Sequence, residues 1–143
     1  MRYESPTSTR EAVALMAREK GDACLLAGGT DLLVRMRSDF IDPELVVDIK
    51  RLPGIQEIRK TVSGFSIGAG VPCAQMGRNK ALVRAWPGVV EAGQLIGSDQ
   101  IQGRCTIVGN LCNASPAADA AKERTNESAN EYRHHGASVL SRQ

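Results

Sequence analysis

A chain of 143 residues, 42% of them hydrophobic and 24% charged, has room for one domain, or one domain of two small lobes, around a real core. The net charge is only +2, with basic and acidic residues interleaved, and aromatics make up 3%, which argues against a basic nucleic-acid surface or a stacking platform for single strands. No apolar run can span a bilayer, Met1-Arg2-Tyr3-Glu4-Ser5-Pro6 lacks the apolar centre of a signal peptide, and Cys24, Cys73, Cys105 and Cys112 show no C-x-x-C, zinc or iron–sulfur spacing. The expectation is a cytoplasmic protein with reduced thiols.

The first predicted element is a helix. Ser8 caps it, Glu11 is the reciprocal partner, Val13, Met16 and Ala17 recur at helical spacing, and Gly21 ends it. Ala23 to Leu26 reads as a short buried strand running into Gly28-Gly29. A second short helix, carrying Leu32, Leu33 and Met36, takes Thr30 or Asp31 as its cap. After the Asp42-Pro43 turn signal, Leu45-Val46-Val47-Asp48-Ile49 is the next strand. Leu52-Pro53-Gly54 then breaks the pattern. Gln56 to Val62 and Phe65 to Ile67 flank Ser63-Gly64 as a hairpin, and Pro72 opens a helix. Further helical patterns cover Ala81 to Ala85 and Val89 to Ile96, with Trp86-Pro87-Gly88 between them and Gly97 at the end. The division expected is an α/β lobe over 1–54, an α+β lobe over 55–121, and a polar, irregular tail over 122–143.

Two glycine-bearing loops carry the chemistry. The first, Ala27-Gly28-Gly29-Thr30-Asp31, offers backbone donors, a hydroxyl and the start of a helix, all suited to an anion. Taken alone it reads more readily as a plain strand-to-helix turn that uses glycine for geometry. The second, Thr106-Ile107-Val108-Gly109-Asn110, repeats the make-up and runs into Ser115, a hydroxyl ahead of Pro116, and Asp119 one turn on. Asp119 is either an acceptor for ribose or ribityl hydroxyls or a solvated helical carboxylate. Two such loops point to a dinucleotide held at its diphosphate.

Ala27-Gly28-Gly29-Thr30-Asp31-Leu32 and Thr106-Ile107-Val108-Gly109-Asn110-Leu111-Cys112-Asn113-Ala114-Ser115-Pro116-Ala117-Ala118-Asp119 resemble the two diphosphate motifs of the FAD-binding domain, or medium subunit, of molybdenum hydroxylases such as xanthine dehydrogenase and carbon monoxide dehydrogenase. The resemblance runs from Tyr3 to Asp119 and includes Leu45-Val46-Val47-Asp48-Ile49 and Phe65-Ser66-Ile67-Gly68-Ala69-Gly70. It implies an α+β fold of two small α/β lobes, the PCMH-like FAD-binding fold, here with its second lobe incomplete and the chain truncated. It also implies FAD as cofactor, with a molybdenum-cofactor subunit and a [2Fe–2S] subunit as partners. Electrons would pass from the clusters through FAD to NAD+, oxygen or quinone. By position, Ala27 to Asp31 and Thr106 to Asn110 hold the diphosphate, and Ser115 and Asp119 contact the ribityl or diphosphate region. No acid, base or nucleophile is assigned. The sequence departs from the family pattern at Val108 and Cys105, where glycine is usual, at Gln102-Gly103, where arginine and asparagine are usual, and at Asp99. Those departures leave a second reading, a family fragment that binds no cofactor and acts at most as an interaction module. A third is a nucleotide-binding enzyme without molybdenum.

Other signals are weaker. Gly68-Ala69-Gly70-Val71-Pro72-Cys73 imitates a Rossmann fingerprint but ends in cysteine, and the acid expected further on falls at Glu91 inside a helical pattern. No P-loop motif occurs, and His134-His135 has no partner set for a metal.

Overall fold

The computed structural model describes residues 1–113. Ser115, Asp119, His134-His135 and the expected tail lie outside the described residues. The N-terminal part alternates strand and helix: β1 (Arg2–Glu4), α1 (Thr9–Arg18), β2 (Ala23–Leu26), α2 (Leu32–Arg37) and β3 (Leu45–Asp48). The three strands form one parallel sheet in the order β1-β3-β2, with Tyr3 and Cys24 both in register with Val46. Every residue of β3 is buried, as its near-continuous apolar run requires of a strand flanked on both edges and packed on its faces. β1 has no counterpart in the sequence reading. All three of its residues are exposed, so no alternation marked it, and the ladder to β3 makes it a strand.

Ser8 caps α1 by accepting the Glu11 N–H at 3.2 Å, but Glu11 returns its carboxylate to the Thr7 N–H at 3.1 Å rather than to Ser8. The capping box is therefore displaced by one residue on its return arm. The buried stripe also differs from the expected one. Ala12, Leu15 and Met16 face β3, whereas Val13 is 62% exposed and Ala17 is exposed. Positions 12, 15 and 16 are themselves at helical spacing, and packing against β3 selects this stripe over the one through Val13. The helix stops at Arg18, with Lys20 and Gly21 both in the left-handed region.

A 3₁₀ turn, Ile49–Arg51, leads into an antiparallel hairpin of β4 (Ile58–Thr61) and β5 (Gly64–Ile67). Thr61 pairs with Gly64, so the connecting residues are Val62 and Ser63, one position earlier than the expected Ser63-Gly64. Five short helices follow: α3 (Cys73–Arg78), α4 (Lys80–Ala85), α5 (Pro87–Gln94), α6 (Asp99–Gln102) and α7 (Ile107–Asn113). Pro72 is the cap of α3 rather than its first residue, and Pro87 is already the first residue of α5. Proline suits both places because neither needs its N–H. Asn79 caps α4 by accepting the Leu82 N–H at 3.0 Å. Neither α6 nor the helical state of 107–113 was expected from the sequence.

One apolar cluster surrounds β3: Ala12, Leu45, Val47, Ile49 and Leu52, with Ile55 and Ala69 packed on it from beyond the Pro53-Gly54 break. A second joins α3, α4 and α5 to the hairpin through Val71, Met76, Leu82 and Val90, with Ile58, Phe65, Trp86 and Ile107 against it. A small third cluster, Cys73, Ile96 and Cys105, fastens the segment before α7 to the start of α3 and the end of α5. The mixed architecture is the expected α+β class. Among the described residues, no helix is long and apolar enough to cross a membrane.

Candidate functional site

The first loop leaves the buried end of β2 and enters α2. Gly29 has φ of +79°, a conformation that glycine adopts at little cost, and it turns the chain sharply off the sheet. The carbonyls of the loop are used at once: Gly29 O accepts from Leu33 N–H at 3.1 Å and Asp31 O from Arg35 N–H at 2.9 Å. The donors are not. Among the described residues, the N–H groups of Gly28, Gly29 and Thr30 reach no acceptor. Asp31 stands at the cap position of α2, but its carboxylate makes no capping bond. The loop thus presents a run of backbone donors and an uncommitted hydroxyl, the equipment of an anion-binding turn.

The second segment is a helix start rather than a loop. Thr106 is buried, and its Oγ1 accepts the Gly109 N–H at 3.0 Å while its carbonyl accepts from Asn110 N–H at 3.0 Å. The Thr106 hydroxyl is therefore an N-cap, and Ile107, Val108, Gly109 and Asn110 form the first turn of α7. A Cβ on Gly109 would stand 2.8 Å from the capping oxygen, so glycine keeps the cap tight. Val108 lies in a helical position with no positive φ, where valine needs no unusual backbone.

The two segments meet. A Cβ on Gly28 would lie 2.1 Å from the Arg104 carbonyl oxygen and 3.0 Å from Cys105 Cα, so the first loop rests directly on the backbone leading into α7. That backbone is held in turn. Cys105 N–H donates to Ile101 O at 2.8 Å, Cys73 N–H donates to Cys105 O at 2.9 Å, and Thr106 faces Pro72 in an isolated antiparallel bridge. Sequence reasoning placed glycines here for a ligand. At Gly28 the structure gives them a second task, close packing of backbone on backbone.

Beside this junction lies a cleft of about 200 Å³. Ala27 and Gly28 form one wall and Gly70 and Pro72 line it too, with Gly103, Arg104, Lys50 and Gln56 completing it. Of the predicted site residues, only Ala27 and Gly28 line it. The missed residues left faint signals: Lys50 follows the buried strand end by two positions, and Arg104 precedes Thr106 by two. The Gly68-Ala69-Gly70 stretch is no Rossmann turn. It follows an antiparallel hairpin, and the Gly68 and Gly70 N–H groups are spent on Glu57 O and Ile55 O.

Lys50 is positioned by a network centred on the buried Asp48 carboxylate. Its Nζ lies 2.7 Å from Asp48 Oδ2 and donates to Ala27 O at 3.4 Å, while its backbone N–H donates to Asp48 Oδ1 at 2.9 Å. The Tyr3 hydroxyl donates to Asp48 Oδ2 at 2.5 Å. Burial works to raise the Asp48 pKa, but the hydrogen bonds from the Lys50 ammonium, from Tyr3 and from the Lys50 backbone outweigh it and hold the carboxyl below its usual value. Hydrogen bonding to Asp48, then desolvation, raises the Tyr3 phenol. Burial, and after it the neighbouring Cys105, pushes the Cys73 thiol up to about 12, and burial raises Cys105 as well. Neither is a ready nucleophile.

Comparison with known proteins shows the family and the fold. The family model described as "FAD binding domain in molybdopterin dehydrogenase" matches residues 1–123. The carbon monoxide dehydrogenase medium chain of Hydrogenophaga pseudoflava is 37% identical over 117 residues, which cover 82% of this chain and 41% of that one. The xanthine dehydrogenase FAD-binding subunit of Escherichia coli O157:H7 is 30% identical over 120 residues, covering 83% of this chain and 41% of the relative. Among solved structures, carbon monoxide dehydrogenase from Hydrogenophaga pseudoflava superposes with a TM-score of 0.80 at 36% identity, over 84% of this chain and 42% of that chain. The chain thus spans about two fifths of the length of the relatives it matches.

Proposed function

The chain belongs to the family of FAD-binding domains of molybdopterin dehydrogenases, and from that premise we propose that it is the FAD-binding component of a molybdenum-hydroxylase-type oxidoreductase. In this reading a [2Fe–2S] subunit and a molybdenum-cofactor subunit are its partners, and electrons leave the clusters through FAD to NAD+, oxygen or quinone. The observation that carries it is the first loop: the N–H groups of Gly28, Gly29 and Thr30 lack acceptors among the described residues, and the loop packs on the root of α7. A diphosphate supplies acceptors of the right charge for such donors, so the residues present fit the cofactor.

Bound FAD supplies the redox chemistry, accepting and releasing electrons. The protein's part is to bind and orient it. Ala27 to Asp31 give the backbone cradle and the Thr30 hydroxyl. Thr106 to Asn110 give the second contact, with the Thr106 hydroxyl fixing the start of α7 rather than touching the ligand. Ser115 and Asp119 contact the ribityl or diphosphate region. Residues 1–54 and 55–121 act as the two halves that close on the cofactor. Adding FAD to the purified chain, removing the excess and recording the visible spectrum tests the reading. A retained flavin spectrum with a raised unfolding midpoint is the expected result. A colourless protein whose midpoint does not respond to FAD refutes it for this chain and favours a cofactor-free interaction module.

A further inference from the structure

Cys73 and Cys105 are brought together by the isolated antiparallel bridge between Pro72 and Thr106. Because their chain neighbours pair antiparallel, the two cysteines stand opposite each other, and the Cys73 N–H donates to Cys105 O at 2.9 Å. Directly opposed residues of an antiparallel pair have Cα atoms about 4.5–5.5 Å apart, with side chains on one face. A disulfide spans Cα separations of about 4.4–6.8 Å, so the backbone is already set for one. The side chains do share a face. They pack with Ile96 in one cluster, Cys73 at 0% and Cys105 at 2% exposure. Their thiols also interact directly, each altering the other's hold on its proton. Cys24 lies in β2 and Cys112 in α7, and neither belongs to this cluster.

The place matters to the fold. Gly28 rests on Arg104 O and Cys105 Cα, and the next residue, Thr106, caps α7. We propose that Cys73 and Cys105 form a redox-sensitive disulfide, a covalent latch that fixes the root of α7 to the start of α3. In the closed protein neither thiol meets solvent and burial disfavours the thiolate, so the bond is made while this region is open, during folding or local unfolding. The oxidant is a small disulfide. One cysteine thiolate attacks it, forming a mixed disulfide and releasing one small thiol. The second thiolate attacks the protein sulfur of that mixed disulfide, closing the Cys73–Cys105 bond and releasing the second small thiol. The protein loses two electrons and two protons, and the small disulfide gains both as it becomes two thiols. Once the region closes, the same burial bars external thiolates from either sulfur, so reduction also waits on opening.

Cleavage after lysine and arginine leaves Cys105 and Cys112 in one peptide, since no such residue lies between Arg104 and Lys122. The test therefore uses the full chain carrying Cys24→Ser and Cys112→Ser. It is refolded in a buffer of reduced and oxidised glutathione, its free thiols are blocked, and its peptides are mapped by mass spectrometry. Most of the protein should carry the Cys73 and Cys105 peptides joined. The joined form should melt roughly 10 °C above the same chain kept in dithiothreitol, because the bond constrains the unfolded segment from 73 to 105. Exchange of the Gly109 and Asn110 amide hydrogens, both bonded to Thr106, should slow about tenfold or more. Cys105→Ala in this background should abolish the response to glutathione. A chain that refolds with both thiols free or capped by glutathione would overturn the proposal, as would a joined form that melts no higher than the reduced one. The oxidised and reduced samples of one chain supply that comparison, so it stands even where the alanine variant fails to fold. No flavin is present, so the outcome is independent of the FAD reading.

Discussion

Gly28→Ala is the sharpest test of how the two segments are joined. The added methyl would stand 2.1 Å from Arg104 O, 2.8 Å from Arg104 C and 3.0 Å from Cys105 Cα. Ordinary van der Waals separation needs roughly 1 Å more at the closest of these contacts. The obstacle is backbone, and it is pinned by the bonds from Cys105 N–H to Ile101 O and from Cys73 N–H to Cys105 O, so it cannot rotate away as a flexible side chain would. Overpacking in a well-fitted interior costs about 1–3 kcal/mol, and a rigid obstacle puts this site near the upper end. For a chain of this size that corresponds to a fall in melting temperature of roughly 10 °C. Flavin affinity should fall with it, because the loop can relax only by moving away from the α7 segment. Gly21→Ala is the control. Nothing lies within 4 Å of its Cβ, and only its φ of +104° opposes the change, at about 1 kcal/mol. Thermal melts followed by circular dichroism, with FAD titrations of each variant, give the comparison. If Gly28→Ala melts within 2 °C of wild type, or no lower than Gly21→Ala, the close packing inferred here is wrong.

Four further outcomes follow from the same geometry. The Asp48 carboxyl titrates below its usual value, so its stabilising effect is complete above about pH 4 and is lost as pH falls through its lowered folded value. Asp48→Asn should therefore lower stability by about 1–3 kcal/mol at pH 7, and urea midpoints should show the gap to wild type closing in acid; a gap independent of pH would contradict the network around Asp48. In thiol titration with an aromatic disulfide, exposed Cys112 and half-buried Cys24 should react in the native protein, and Cys73 and Cys105 only after unfolding. Because the Cys73 pKa is raised, its stabilising effect should be complete below the ordinary thiol value and be lost as pH rises toward about 12, which an alkaline series of melts will reveal or refute. Val108→Gly should strengthen flavin binding while lowering stability by about 0.5 kcal/mol, the helix-propensity penalty; unchanged flavin affinity would show that the valine does not obstruct the ligand.

The parallel sheet was legible where burial leaves a composition signal. Leu45-Val46-Val47 is apolar on both faces because β3 is central, and Ser8 marks α1 because its hydroxyl caps the helix. β1 left no mark, since an exposed edge strand of three residues is specified by its partner's backbone rather than by its own side chains. The stripe on α1 was misread for a related reason. Val13 and Met16 share one helical face, Ala12 and Met16 another, and only tertiary packing chooses between them. At the candidate site, the glycines of the first loop were readable as a turn and an anion cradle. The Thr106 segment was mistaken for a loop because a short polar start and a glycine look alike in a loop and in a capped first turn. Lys50 and Arg104 left only their spacing from the strand end and from Thr106 as a signal, since each reaches the cleft through a fold that brings residue 28 against residue 104.

The departures from the family pattern are accommodated by the fold, which moves the question of cofactor binding from the backbone to the ligand-facing surface. Cys105 stands where glycine is usual, yet its side chain is buried with Cys73 and Ile96, in a cluster that ties the α7 segment to α3 and α5. A larger residue there is absorbed by the core and adds contact to the segment on which Gly28 rests. Val108 stands in the first turn of α7 with no positive φ, half-buried, so its methyls strain nothing in the protein. Gln102 and Gly103 close α6 immediately before the cleft, where Gln102 Nε2 donates to Gln94 O and Gly103 lines the wall. None of these positions requires the usual residue for folding. Any selective demand for glycine at 108 must therefore arise from the approach of a ligand, so flavin titration of the Val108 variant reads the ligand contact and its melt reads the fold.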